Sequence, residues 1–236
     1  MPIRKQHIKK IFKHCYSKLS REKNTDIYWY LHERPKTITR ENFFIEAGWA
    51  IWVSGMKRKS TKTFMEKASN FLPLDDYEFF AKLSKREIQN SLKKIHGKSI
   101  PPRAAQKWLA LYDISKILSN FKNEKDFRAS FFEGKYYSRL LNNEDITRLR
   151  KLSLPFIGKA NSQMLIRNLG GESIKCDRWI RKFLDFYKIE QTQLYKILKE
   201  IKVKPGLFDI VLWSYCEQYI GRASLFDSHF IKILSK

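Results

Sequence analysis

Apolar residues recur along most of this chain at intervals of three and four, the spacing of a helix face, and the period-two alternation of a strand is scarce. The pattern predicts an all-α protein. Ile3, Ile8, Ile11, Cys15 and Leu19 fall on one face of a first helix, against "RK", "KK" and "KH" on the other. A short aromatic helix, "DIYWYLH", is closed off by Pro35. Thr39 then caps "ENFFIEAGWAIWVSG", with Glu41 in its first turn, and because that helix is apolar nearly all round it should be central and buried, with Gly55 as its stop. "MKRKSTKTFMEKASNFLP" reads as a basic turn, a Ser/Thr start and a helix ending before Pro73. Ser84 and Glu87 have capping-box spacing ahead of a helix terminated at Gly97, and Pro102 opens "PPRAAQKWLALYDISKILSNF". "KDFRASFFEGKYYSRLL", broken at Gly134, leads to "NEDITRLRKL", a turn, "KANSQMLIRNL", "DRWIRKFLDFY", "EQTQLYKILKEI" and "LFDIVLWSYCEQYI". There is no internal repeat and no low-complexity linker.

Charge narrows the partners. The 47 Lys and Arg outnumber the 24 Asp and Glu for a formal net charge of +23, which favours a polyanion: nucleic acid first, an anionic membrane surface second. No apolar run reaches the roughly 20 residues that span a bilayer, and "MPIRKQHIKKIFKH" has no signal-peptide core. Cys15, Cys176 and Cys216 are far apart, which argues for a reducing compartment, against a zinc or iron-sulfur site, and for buried apolar thiols. The tryptophans at helical spacing, Trp49, Trp52, Trp108, Trp179 and Trp213, read first as core. "FDSHF", with Asp227 and His229, offers an acid and a base but no third partner nearby in sequence.

The stretch "LSLPFIGKANSQMLIRNLGGESIKCDRWIRKFL" is the most informative. A turn with Pro and Gly between two helices aims unpaired N-terminal amides outward, where they can hold a phosphate beside Lys159 and Arg167, although such turns also occur without a ligand. Asp177 directly precedes a helix whose apolar face is Trp179, Ile180, Phe183 and Leu184. As an N-cap it is worth about 1 kcal/mol over Ala. Among Lys175, Arg178, Arg181 and Lys182, its carboxylate also suits stabilising a cation or activating water.

These residues resemble the helix-hairpin-helix DNA glycosylase superfamily. Leu154, Pro155, Ile157 and Gly158 match its hairpin and Asp177 its catalytic acid, while "RNLGG" followed by "DRWIRKF" is most similar to archaeal-type 8-oxoguanine glycosylases. Upstream, "ENFFIEAGWAIWVSGMKRKSTKTFMEKASNF" looks like the family's early buried helix and loop, and "PPRAAQKWLALYDISKIL" like a later family helix. The resemblance implies two helical lobes, residues 41–171 with the hairpin motif at about 144–169, and residues 1–40 joined by 172–236, with the active site between them. It implies a monomer in a nucleoid or nuclear setting, away from membranes, acting in base-excision repair on double-stranded DNA with a damaged or mismatched base.

Further roles follow from the same resemblance. Met56 would be the apolar wedge, with packing as the alternative, and Lys57, Arg58, Pro155, Ile157, Gly158, Lys159, Ala160 and Arg178 would meet DNA. No cofactor is required, though a monovalent cation could sit at the hairpin. Two positions depart from the family. Phe156 stands where the hairpin has Gly, and Ala160 stands where bifunctional members carry a Schiff-base Lys; Lys159 is one residue early, about 100° round the helix. This implies hydrolysis by water, with Lys159 a lyase nucleophile only if the hairpin is remodelled. Expected substrates are 8-oxoguanine, an alkylated purine, uracil or mismatched thymine. Two other readings remain: a non-catalytic DNA-binding module that uses Asp177 only as a cap, and an RNA-binding accessory protein.

Overall fold

The computed structural model describes residues 5–35, 38–54, 58–97, 100–132, 154 and 156–235. Ile3, Gly55, Met56, Lys57, Gly134, Pro155 and the helix expected at "NEDITRLRKL" lie outside them. The helices are α1 (Lys5–Arg21), α2 (Thr25–Tyr28, continued by a π-turn Trp29–Glu33), α3 (Arg40–Val53), α4 (Arg58–Ser69), α5 (Tyr77–Lys82), α6 (Lys85–His96), α7 (Pro102–Ser119) and α8 (Glu124–Phe132). They continue with α9 (Lys159–Asn168), α10 (Arg178–Tyr187), α11 (Gln191–Glu200), α12 (Pro205–Tyr215, continued by a π-turn Cys216–Ile220) and α13 (Phe226–Leu234). All regular elements among the described residues are helical, so the fold is all-α.

The chain divides into two compact units, 1–34 with 172–236, and 35–171. The first boundary falls at Arg34, not after residue 40, because Ile38 is 1% exposed within the core of the second unit and Thr39 caps that unit's α3. In the first unit α1 lays Ile8, Ile11, Cys15 and Leu19 against α12 and α13, while α10 buries Trp179, Ile180 and Phe183 in the same core. In the second, α3 and α7 pack together, with α5 on α7 and α9 on α3. Trp52, Trp108, Phe43, Phe44 and Phe80 are fully buried there.

Local chemistry explains most ends. Thr39 Oγ1 accepts from Asn42 N at 3.1 Å, and Ser84 and Glu87 form the capping box. Gly97 takes φ +82° at the end of α6, and Pro102 begins α7. Some expectations need correcting. α4 begins at Arg58, ahead of the Ser/Thr start, while α3 ends at Val53 with Ser54 as its cap, just before the expected stop. α5 was not foreseen: Asp76 caps it by accepting from Phe79 N at 2.8 Å, and Tyr77, Phe80 and Ala81 are buried, a signal confined to six residues. Cys15 and Cys216 are buried but Cys176 is only half-buried.

The chain passes between units beside two fastenings. On one side Glu172 accepts from Tyr30 OH at 2.9 Å, Arg34 Nη2 at 3.0 Å and Gly206 N at 3.0 Å, with Arg34 stacked over the Tyr30 ring. On the other, Gly170 at φ +96° approaches Pro35 so closely that a Cβ would lie 3.0 Å from its carbonyl oxygen.

Candidate functional site

The turn that matches the family hairpin closes through Ile157 N donating to Leu154 C=O at 3.1 Å. Phe156 sits in it at φ +61°, the left-handed region that Gly occupies freely and that costs a bulky side chain about 1 kcal/mol or more. Two contacts hold it there. Asn161 Nδ2 donates to its carbonyl at 2.8 Å, and its ring packs on the core of the second unit, so Phe takes the conformation without Gly's freedom.

Gly158 is the N-cap of α9, with extended backbone and no capping side chain. Nothing lies within 4 Å of where its Cβ would be. The first amides of α9 therefore receive no acceptor from their cap's side chain, and the exposed Lys159 starts the helix. Ile157 is 5% exposed and Ala160 half-buried. Deeper in, α9 is tied to α3 by Asn168 Nδ2 donating to Glu46 Oε2 at 2.7 Å, and Arg167 holds the other end of the same amide at 3.0 Å. Burial pushes the Glu46 carboxyl above its usual range, against the Asn168 bond and the Arg167 charge.

Asp177 belongs to the other unit. The segment leading to it is anchored by Ile174 N to Tyr195 OH at 2.9 Å, Gln191 Nε2 to Ile174 C=O at 2.9 Å, and Lys175 N to the buried Asp209 carboxylate at 3.0 Å. Asp177 then caps α10: its Oδ1 accepts from Trp179 N at 2.9 Å and Ile180 N at 3.2 Å. Both capping bonds use one oxygen. Oδ2 has no hydrogen-bond partner among the described residues, and the side chain is half-exposed.

Glu217, which sequence reasoning missed, accepts from Trp179 Nε1 at 2.6 Å and from Arg178 Nη2, while the Arg178 guanidinium lies over the Trp179 ring. A lone acid in "YCEQYI" carries no signal that would have singled it out. The Cys216 thiol is pushed far up, first by burial and then by its Cys15, Asp177 and Glu217 neighbours, so it is no nucleophile. Lys107 was also missed. It is 3% exposed and donates to Trp52 C=O at 3.0 Å and Ser54 C=O at 2.7 Å, closing the end of α3 just before residues 55–57; burial, with Arg103 nearby, lowers its ammonium to about 8.

Of the remaining predicted contacts, Arg58 begins α4, and Met56, Lys57 and Pro155 lie outside the described residues. Trp52, Trp108 and Trp179 are core, and Trp49 and Trp213 are partly buried against it. Among the described residues no cluster of three His, Cys, Asp or Glu could hold a metal ion, and no helix is long and apolar enough to cross a membrane. Among the described hairpin carbonyls, Leu154 accepts from Ile157 N at 3.1 Å, Phe156 from Asn161 Nδ2 at 2.8 Å, and Gly158 from Ser162 N at 2.8 Å and Oγ at 3.0 Å.

No family model and no curated protein sequence matches the chain. Its fold is similar to that of the Methanocaldococcus jannaschii 8-oxoguanine glycosylase/lyase solved in complex with a 15mer DNA containing 8-oxoguanine. The TM-score is 0.50 at 18% identity, over 92% of this chain and 98% of that one.

Proposed function

We propose that this protein is a helix-hairpin-helix DNA glycosylase that hydrolyses the N-glycosidic bond of a modified base in duplex DNA. The observation that carries the reading is Asp177: a half-exposed carboxylate at a helix N-terminus whose Oδ1 is fixed by two amides and whose Oδ2 has no partner among the described residues. The fold likeness to a glycosylase/lyase supports it.

The reaction follows from that geometry. The base is flipped out of the stack at a cost of a few kcal/mol. As the bond from C1′ to the base breaks, its electron pair leaves with the base and positive charge builds on the sugar; the fixed carboxylate stabilises that charge. Water adds to C1′ and gives its proton to Oδ2 or to solvent, leaving an abasic site. The α9 amides at Gly158, with Lys159 and Arg178, would hold phosphates, and the loop at Met56, Lys57 and Arg58 would enter the duplex. A monovalent cation at the hairpin would share carbonyls that protein donors already occupy, and no step is assigned to it. With Ala160 where a Schiff-base Lys would stand, the enzyme is monofunctional and does not cut the strand. Its substrate is 8-oxoguanine, or else an alkylated purine, uracil or mismatched thymine.

The test is a panel of end-labelled duplexes, each with one such lesion, incubated with wild type and Asp177→Asn and split into untreated and hot-alkali samples. Cleavage only after alkali, and lost in the variant, is expected. Cleavage without alkali would transfer the nucleophile's role to Lys159. The second reading, a DNA-binding module, is favoured by the fact that Asp177 does cap α10; it requires equal duplex binding by both proteins with no base released.

A further inference from the structure

The two residues that follow Asp177 send donors to a single oxygen of Glu217. Trp179 Nε1 donates to Glu217 Oε1 at 2.6 Å and Arg178 Nη2 donates to the same atom, while the Arg178 guanidinium lies 4.8 Å over the centre of the Trp179 ring. Glu217 sits on the π-turn Cys216–Ile220, which Gly221 closes at φ +68° by donating its N–H to Cys216 C=O at 2.8 Å. The next two residues of that turn are fastened as well, since Gln218 Nε2 and Tyr219 OH both donate to Glu22. Turns of this kind recur at functional sites.

Trp179 is held at both ends. Its backbone N–H donates to Asp177 Oδ1 at 2.9 Å, its indole N–H ends on Glu217, and its fully buried ring stacks on Phe226. One fixed side chain thus spans from one carboxylate to the other. The Cys216 thiol feels the whole group: burial raises it first, then Cys15, Asp177 and Glu217, and Arg178 opposes them.

A buried indole N–H needs an acceptor, and that need explains the first bond to Glu217. It does not call for a charge, because an amide oxygen would serve equally. Arg178 accounts for the charge. Its guanidinium is next in the chain to a carboxylate whose Oδ2 has no partner among the described residues, and an Arg beside a carboxylate readily forms a forked pair with it. Neither arginine in the first turn of α10 does so: Arg178 goes to Glu217, and Arg181 Nε donates to the Asp177 backbone carbonyl at 3.4 Å. A carboxylate already paired with a cation has little left for the positive charge that develops on a sugar.

We propose that Glu217 is a positioning residue for Asp177: it holds the Arg178 guanidinium to itself and onto the Trp179 ring, and so keeps that cation off Asp177 Oδ2. The inference rests on Asp177 being the catalytic acid of a glycosylase. The other guanidinium donors meet no acceptor among the described residues and stay open to a phosphate.

The test uses full-length wild type, Glu217→Gln, Arg178→Gln and the double variant. Glutamine keeps an oxygen for the indole, so the urea midpoint of Glu217→Gln should stay close to that of wild type. A large loss of stability overturns the proposal, because the acid then serves the fold alone. Excision is followed in a single turnover at saturating protein, which removes any weaker duplex binding from the comparison. It should fall about fivefold in Glu217→Gln, the ceiling for an exposed ion pair, while the double variant should match Arg178→Gln alone. No fall, or the same fall with and without Arg178, overturns the proposal. Crystal structures of DNA-free wild type and Glu217→Gln read the same point without chemistry. In the variant alone the guanidinium should lie within hydrogen-bond distance of Asp177 Oδ2. If it does not reach that oxygen, the proposal fails and the glycosylase reading is untouched. If it does, but wild type releases no base from any lesion, the positioning role stands and the glycosylase reading fails.

Discussion

The N-termini of α9 and α10 begin 19 positions apart in the chain and solve the same problem in opposite ways. Each helix starts with amides that no turn of its own can satisfy. At α10 the chain supplies the acceptor itself, Asp177 Oδ1, so the amides are occupied and what remains for chemistry is the second oxygen. At α9 the cap is Gly158, which has no side chain, and the space above it is clear. One terminus carries an acceptor in its own cap, and the other has none from its cap. On the proposed function, the contrast separates a helix start free to bind an anion, because its own cap is missing, from one whose cap keeps an oxygen for chemistry.

Substitutions that exchange these properties test the comparison. Asp177→Asn keeps an acceptor for both amides but removes the charge, so excision should fall by a factor of about 100–1,000 while urea-midpoint stability changes by no more than a few tenths of a kcal/mol. A large loss of stability with it would mean that the carboxylate serves the fold alone. Gly158→Asp does the reverse: backbone and space both accept it, so α9 should gain a few tenths of a kcal/mol as a capped helix while duplex affinity drops roughly tenfold, measured by anisotropy. Unchanged affinity would remove those amides from the interface. Asp177→Ala should destabilise the chain by about 1 kcal/mol, the worth of the cap, seen in the same urea titration.

The smallest effect is on pH. His96 and His229 both have folded values below the ordinary one, chiefly through burial, so each favours folding while neutral. Their contribution is present above about pH 6.5 and is lost as the pH falls through their folded values. A modest decline in melting temperature between pH 7 and 5, reduced by His229→Gln, is expected.

Much of this was legible from one-dimensional signals, because caps and helix faces are written within a few residues. Thr39, Ser84 with Glu87, and Asp177 each name a partner within three positions, Pro102 marks a first helical position, and Ile8, Ile11, Cys15 and Leu19 name a face. Partnerships between distant residues were not legible. Glu46 with Asn168, Lys107 with the end of α3, and Tyr30 and Arg34 with Glu172 join residues that carry no mutual spacing. His229 is the plainest case. Its partners, Tyr215 and through it His14, come from another helix and from the opposite end of the chain, so "FDSHF" looked isolated. Phe156 misled for a different reason: a residue type reports the conformation it prefers, and here neighbouring contacts impose the less favoured one.

Because α1 is packed by helices made last, its fate during synthesis differs from that of the unit at 35–171. The latter is continuous and can assemble as it leaves the ribosome. The stripe of Ile8, Ile11, Cys15 and Leu19 must wait for residues 205–234, a delay of about 10–40 s at ordinary elongation rates. Throughout that interval α1 is an amphipathic segment with a cationic back and no partner for its apolar stripe. A synonymous-codon change that slows translation of the last helices should therefore lower the yield of folded protein without altering the finished molecule.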